Sequence, residues 1–296
     1  MHSPPQGPSS PADPRTRPIA VFDSGIGGLT VLHELLVRLP REDFLYLGDT
    51  ARFPYGERSP EEIELFAAQI AEELLRRRAK LLVVACNSAT SAALPSLVAR
   101  MRQTTLGIDV LGVVRPEALQ AVAATRTGRI GLLATPTTVA SRAYEHAVAA
   151  CDPHVTLHPV PCPTLASIIQ DDRQFDELAL AHVRAACQPL MAAQVDTVIL
   201  GCTHYPLISP MLQRILGPDV TLVSSGAALA RQVEHALVTR HLARPAPLPA
   251  ENRREGHYRF LCTGDVHTFR ALGTRFLQMP LGLVDHVELP VLEALA

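Results

Sequence analysis

Two cysteines in this chain sit where chemistry can be done. Cys202 lies in Val198-Ile199-Leu200-Gly201-Cys202-Thr203-His204-Tyr205-Pro206, and Cys86 in Leu81-Leu82-Val83-Val84-Ala85-Cys86-Asn87-Ser88-Ala89-Thr90. In each, an apolar run of strand length stops at a thiol followed by small polar residues. That pattern reads as a buried parallel strand with a reactive group at its C-terminal end, where open α/β sheets bind ligands. A helix N-terminus or a protonated imidazole lowers a thiol pKa from about 8.5 toward neutrality. His204, two residues from Cys202, can do this or shuttle the thiol proton. Cys151, Cys162, Cys187 and Cys262 lack such surroundings and read as small packed hydrophobes.

Two thiols facing one another across a cleft permit three chemistries. They can form a redox pair. They can be a nucleophile and a spare. They can also act as an acid–base pair on opposite faces of one carbon, which inverts a stereocentre. In the third case Asp23 and His204 set thiol protonation, and the hydroxyl and amide groups of Ser24, Asn87, Ser88 and Thr203 anchor carboxylate and ammonium groups.

The elements that must position these residues follow in order. A short strand over 18–22 ends in Asp23-Ser24-Gly25-Ile26-Gly27-Gly28, whose glycines let a ligand approach backbone N–H groups at a helix N-terminus. Leu29, Leu32, Leu36 and Leu39 continue it as a helix. Phe44 to Leu47 is the second strand, followed by the loop through Tyr55 and Gly56. Ser59-Pro60-Glu61-Glu62 carries a capping box and opens a helix. Its end at Arg76-Arg77-Arg78 is a solvated basic last turn. After the Cys86 strand and a helix to about Met101 come a strand over 110–114, a helix from Glu117, and a strand over 129–133. Thr135 then opens one helix through Tyr144. A weaker strand over 155–160, a loop or short helix over 161–172, a helix over 175–193 and the Cys202 strand complete this half. A strand over 220–223, a helix over 226–241, a surface loop over 244–256, a strand over 258–262, a helix over 269–277 and a strand over 284–289 close the chain.

Alternating strands and helices predict parallel sheets of doubly wound type. A coarse internal echo supports two similar halves: Asp23 precedes Cys86, and Thr135 precedes Cys202, at nearly equal spacing. The predicted architecture is α/β, two doubly wound domains related by pseudo-twofold symmetry with the active site in the cleft between them. Residues 1–17 are a disordered tail, 18–111 and 221–296 one domain, and 112–220 the other.

Composition narrows the function. The 296 residues are 47% hydrophobic, enough for a substantial core. A net charge of −2 offers no basic face for nucleic acid, and no apolar run is long enough to span a membrane. The Pro- and Ser-rich N-terminus lacks the apolar centre of a signal peptide, so the six cysteines are expected to be reduced thiols in the cytoplasm. No CxxC occurs, which argues against structural zinc. Lys80, the sole lysine, precedes its strand and so stands at the wrong end to form a Schiff base with pyridoxal phosphate.

The motifs Val21-Phe22-Asp23-Ser24-Gly25-Ile26-Gly27-Gly28-Leu29-Thr30-Val31, Gly48-Asp49-Thr50-Ala51-Arg52-Phe53-Pro54-Tyr55-Gly56, Ala85-Cys86-Asn87-Ser88 and Gly201-Cys202-Thr203-His204-Tyr205-Pro206, in that order, resemble the cofactor-independent glutamate racemases of the wider aspartate/glutamate racemase group. The resemblance implies interconversion of L- and D-glutamate for bacterial peptidoglycan, without metal or cofactor, by a cytoplasmic homodimer. It makes Cys86 and Cys202 the two acid–base thiols, with Asp23 and His204 their assistants. It places Ser24, Tyr55, Gly56, Asn87, Ser88 and Thr203 around the substrate. Two departures stand out. Ser88 occupies a position where the family commonly has threonine. Near Gln170-Asp171 the family usually has a glutamate that helps the second thiol, and here Asp171 or Asp172 is expected to stand in with a shorter reach. The competing readings are an aspartate-type racemase of the same group, a thiol redox protein, and a non-catalytic binder of acidic amino acids.

Overall fold

The apolar runs are strands buried from end to end. In the computed structural model, which describes residues 13–103, 107–172, 176–245 and 255–290, every residue of β1 (Ile19–Asp23), β2 (Phe44–Gly48) and β3 (Leu81–Val84) is buried. A strand covered on both faces needs apolar side chains at every position rather than at alternate ones. These strands join β4 (Val110–Gly112), β9 (Tyr258–Cys262) and β10 (Val284–His286) in a six-stranded sheet of order β10-β9-β2-β1-β3-β4. A second sheet of order β6-β5-β7-β8 contains β5 (Arg129–Ala134), β6 (Thr156–Pro161), β7 (Thr197–Gly201) and β8 (Thr221–Val223). All pairings in both sheets are parallel.

The echo in sequence has a topological counterpart. The order β2-β1-β3-β4 in the first sheet repeats as β6-β5-β7-β8 in the second. In such an order, successive strands add in opposite directions from the first one, and the crevice at that reversal is where open sheets bind ligands. It lies between β1 and β3 in the first sheet and between β5 and β7 in the second. The first sheet differs in being extended by β9 and β10.

Several boundaries differ from the sequence reading. β8 pairs with β7, Thr197 opposite Thr221, so the chain leaves the second sheet only after Val223 and not at residue 221. The helix Ser225–Thr239 that follows packs on Leu29–Arg38 of the first half and on Val114–Ala124. The latter helix begins at Val114, one turn before the expected Glu117. The single helix expected from Thr135 through Tyr144 is two, Pro136–Ala140 and Ala143–Cys151, broken where Arg142 adopts a left-handed backbone. Pro189 does not end the helix Glu177–Ala192, because it sits in the last turn and deletes a single hydrogen bond. The capping box forms as expected: Glu62 N donates to Ser59 Oγ (3.2 Å) and Ser59 N to Glu62 Oε2 (3.0 Å).

Within the stretch read as a tail, Pro14–Thr16 forms a 3-10 turn, while residues 1–12 lie outside the described part, as do 246–254 of the expected surface loop. The turn is tied down by Lys80. Its buried Nζ donates to Glu42 Oε2 (2.6 Å), the Arg15 carbonyl (2.8 Å) and the Leu242 carbonyl (2.9 Å). The only lysine is thus fully engaged at the base of β3, at the opposite end of the strand from Cys86. Among the described residues no helix is long and apolar enough to cross a membrane.

Candidate active site

The C-terminal ends of the central strands meet. β1 ends on Asp23, and β3 leads through Ala85 to Cys86 at the start of the helix Asn87–Gln103. β7 leads directly to Cys202. Thr203 bridges the halves: its Oγ1 donates to Asp23 Oδ2 at 3.1 Å, while Gly25 N donates to Asp23 Oδ1 at 2.8 Å. The loop of residues 24–28 closes on residues 203–204 so tightly that a Cβ on Gly27 would sit 2.4 Å from both His204 Nδ1 and Thr203 Oγ1. Glycine is required there by proximity, not by a left-handed backbone. Gly56 has the same role on the other side, where an added Cβ would lie 2.7 Å from Thr135 Cβ, and its carbonyl accepts from Thr137 Oγ1 at 2.9 Å.

Burial governs the electrostatics. Cys86 and Cys202 are 5% and 7% exposed. Burial, reinforced by Asp23, pushes the Cys86 thiol up to about 12, against the pull of Ala89 N (3.4 Å from Sγ) and Ser24 Oγ (3.6 Å). Burial likewise drives Cys202 well above its ordinary value, and Cys86 and Asp23 add to the push. The two thiols therefore feel one another. Asp23, wholly buried, is raised to about 6 despite hydrogen bonds from Gly25, Gly28 and Thr203. Each of these groups is shifted upward by loss of water more than by any one neighbour.

His204 lies between the rings of Phe53 (5.5 Å between centroids) and Phe276 (5.2 Å), and burial lowers it to about 3. The ring is neutral. Its Nε2 is 3.1 Å from Gln170 Oε1, an atom that only accepts, so Nε2 carries the proton. Nδ1 is then a lone pair, 3.8 Å from Cys202 Sγ and 3.5 Å from Thr203 Oγ1. The neutral ring puts no positive charge beside the thiol, and its Nδ1 lone pair lies toward Cys202 Sγ.

Gln170 corrects one expectation. Asp171 and Asp172, expected to stand near the second thiol, are exposed at the end of the helix Leu165–Gln170, and Asp172 pairs with Arg275. Gln170 has the side chain that reaches His204. A six-residue helix turns about 100° per residue, so one position decides which side chain faces inward.

The remaining predicted residues line the same region. Ser88 Oγ lies 2.9 Å from Thr135 Oγ1 and 3.3 Å from Thr138 Oγ1, joining the first half to the second. Tyr55 is buried and donates its hydroxyl to Asp49, which also accepts from Arg52 Nε (2.6 Å) and Thr263 Oγ1 (2.7 Å). Asn87 Nδ2 donates to Glu117 Oε2 (3.1 Å) and to the Tyr144 hydroxyl (2.7 Å), leaving the buried Oδ1 without a protein partner. Sequence reasoning missed Glu117 and Tyr144. A glutamate in the first turn of a helix reads as a partner of the helix dipole, and no local signal marks it as buried. A cavity of about 110 Å³ is lined by Thr30, Leu207 and Phe276 among others and by neither cysteine of the pair. Thr30 Oγ1 donates to the Thr203 carbonyl at 3.1 Å.

Residues 31–233 match the model of the Asp/Glu/Hydantoin racemase family. The chain belongs to that family. A glutamate racemase of Syntrophus aciditrophicus is 40% identical to this racemase over 276 residues, covering 93% of this chain and 98% of the relative. Among solved structures, a glutamate racemase of Bacillus anthracis aligns with a TM-score of 0.85 at 37% identity, covering 94% of this chain and 99% of that one. A glutamate racemase of Francisella tularensis solved with D-glutamate aligns with a TM-score of 0.82 at 31% identity, covering 93% and 98%. The racemase is thus matched along nearly its whole length, and the family match takes in the loops that carry Cys86 and Cys202.

Proposed function

We propose that this racemase interconverts L- and D-glutamate by proton transfer between two thiols, Cys86 and Cys202, acting on opposite faces of the substrate Cα. The observation that carries this reading is that the two cysteines follow corresponding strands, β3 and β7, of two sheets with the same strand order, with Asp23 and Thr203 hydrogen-bonded between them. The substrate class rests on relatives named glutamate racemases that match this chain nearly end to end.

In one direction Cys202, with the His204 Nδ1 lone pair 3.8 Å from its Sγ, is the thiolate that removes the α-proton. The C–H electron pair passes into the carboxylate, giving an enolate-like intermediate whose charge is met by nearby donors. The Cys86 thiol then protonates the carbon from the other side. In the reverse direction Cys86 must be the thiolate, and Asp23, raised to about 6, is the adjacent group able to take its proton. Burial keeps both thiols neutral in the empty site. A bound amino acid brings an ammonium group that offsets the negative charge of a thiolate, so the base forms when substrate is present. Because the thiols interact, their titrations belong to the pair.

The same reading makes the enzyme a cytoplasmic homodimer that supplies D-glutamate for peptidoglycan, and takes Ser24, Tyr55, Gly56, Asn87, Ser88 and Thr203 as its substrate contacts. The deciding experiment follows racemisation by circular dichroism and deuterium uptake at Cα in D2O, on glutamate and aspartate, without added cofactor. Wild type is expected to exchange and racemise glutamate. Cys86→Ala and Cys202→Ala are each expected to abolish racemisation. Wild-type turnover in either variant sinks the two-thiol reading, and faster turnover of aspartate moves the substrate assignment.

A further inference from the structure

Glu117 is a fully buried carboxyl that the proton-transfer chemistry does not use. It lies in the first turn of the helix Val114–Ala124, and its Oε2 accepts from both Asn87 Nδ2 (3.1 Å) and the Tyr144 hydroxyl. Tyr144, on the helix Ala143–Cys151, also accepts from Asn87 Nδ2 at 2.7 Å. Glu117 Oε2 and the Tyr144 hydroxyl lie side by side and both accept from the one amide nitrogen. The three side chains close a buried triangle, and the side chain of Asn87 has one polar atom left, the buried Oδ1 without a protein partner. Asn87 immediately follows Cys86.

We propose that Glu117 and Tyr144 form a clamp of positioning residues that fixes the rotation of the Asn87 amide, so that Oδ1 is presented to the bound substrate. The clamp spans the two halves, since Asn87 belongs to the first and Glu117 and Tyr144 to the second. It acts on substrate binding and not on proton transfer. Burial raises Glu117 to about 8, which leaves it mostly uncharged at neutral pH. An uncharged carboxyl holds the amide without adding repulsion against a substrate that carries two carboxylates. The inference rests on the reading of Asn87 as a substrate contact.

The test is steady-state kinetics on glutamate for Asn87→Ala, Glu117→Ala, Glu117→Gln and the double variant Asn87→Ala with Glu117→Ala. Glu117→Ala is expected to raise KM about tenfold or more with kcat changed less than about threefold, the size of effect of a lost hydrogen bond to a charged ligand. Glu117→Gln keeps an oxygen able to accept from both partners and is expected to restore KM. The double variant is expected to bind no worse than Asn87→Ala alone, because Glu117 acts through Asn87. A purely structural role moves kcat and stability instead and adds in the double variant, which overturns the clamp. If Asn87→Ala leaves KM unchanged, the substrate-contact reading fails and takes the clamp with it. If Asn87→Ala raises KM and Glu117→Ala does not, the clamp alone fails. Should Glu117→Ala not fold, Tyr144→Phe decides: it removes one oxygen, and an unchanged KM overturns the proposal while a rise at constant kcat supports it.

Discussion

Replacing Gly27 with alanine adds one methyl group at a close contact between the halves. The new carbon would stand 2.4 Å from His204 Nδ1 and 2.4 Å from Thr203 Oγ1, about 1 Å inside ordinary contact. Gly27 is not in the left-handed region, so alanine fits its backbone and only space resists it. Relief requires the loop to withdraw from residues 203–204, which lengthens the 3.1 Å bond between Thr203 and Asp23 and the 3.8 Å approach of His204 to Cys202. Overpacking of this kind costs about 1–3 kcal/mol, or a fall of a few to about ten degrees in melting temperature for a chain of this size. The larger effect is on catalysis, because displacing a catalytic group by about 1 Å can slow the reaction roughly a hundredfold. The assay is racemisation of glutamate by circular dichroism, with thermal unfolding on the same sample. Gly282→Ala is the control, since nothing lies within 4 Å of its added carbon. A Gly27→Ala enzyme with full kcat and an unchanged melting temperature would refute the claim that the glycine loop holds His204 and Thr203 in register.

Three other outcomes follow from the same geometry. Gln170→Glu places a carboxylate 3.1 Å from His204 Nε2, which favours the imidazolium; the ring, at about 3 in wild type, is expected to titrate nearer neutrality, so that the acid limb of kcat/KM against pH moves upward, and an unmoved limb removes His204 from proton transfer. Lys80→Ala leaves Glu42 and two carbonyls without their buried donor and is expected to destabilise by about 3–5 kcal/mol in thermal or urea unfolding, with racemase activity retained in the folded fraction; a loss under about 1 kcal/mol contradicts the clasp. Glu117 is raised from 4.5 to about 8, so between those values the folded chain holds a proton that the unfolded chain releases, and stability falls as pH rises. The melting temperature of Glu117→Gln is therefore expected to gain on wild type from pH 5 to pH 8, and a constant difference across that range contradicts a buried neutral carboxyl.

Much of this molecule could be read from local pattern, because its central strands are covered on both faces and such strands need unbroken apolar runs. Each of the ten described strands overlaps a stretch so identified, and both cysteines of the proposed pair were marked by what precedes and follows them. The errors came where distant segments decide. A three-residue strand such as β8 carries no sign of which sheet it joins, and its pairing with β7 comes from a contact with residue 197. Thr135 through Tyr144 has a helical composition throughout, and the left-handed turn at Arg142 that splits it is no more favoured by local sequence than a continuous helix.

The site divides in the same way. Residue type and spacing determined that two thiols, an aspartate and a histidine end on strand tips, since those chemistries are written in the side chains. Tertiary structure alone decided that His204 is neutral, that Gln170 and neither aspartate touches it, and that Glu117 lies buried against Asn87. Burial and helix phase set those three facts, and both depend on what packs from elsewhere in the chain: the rings of Phe53 and Phe276 around the histidine, the turn of a six-residue helix under Gln170, and the meeting of three helices at Glu117.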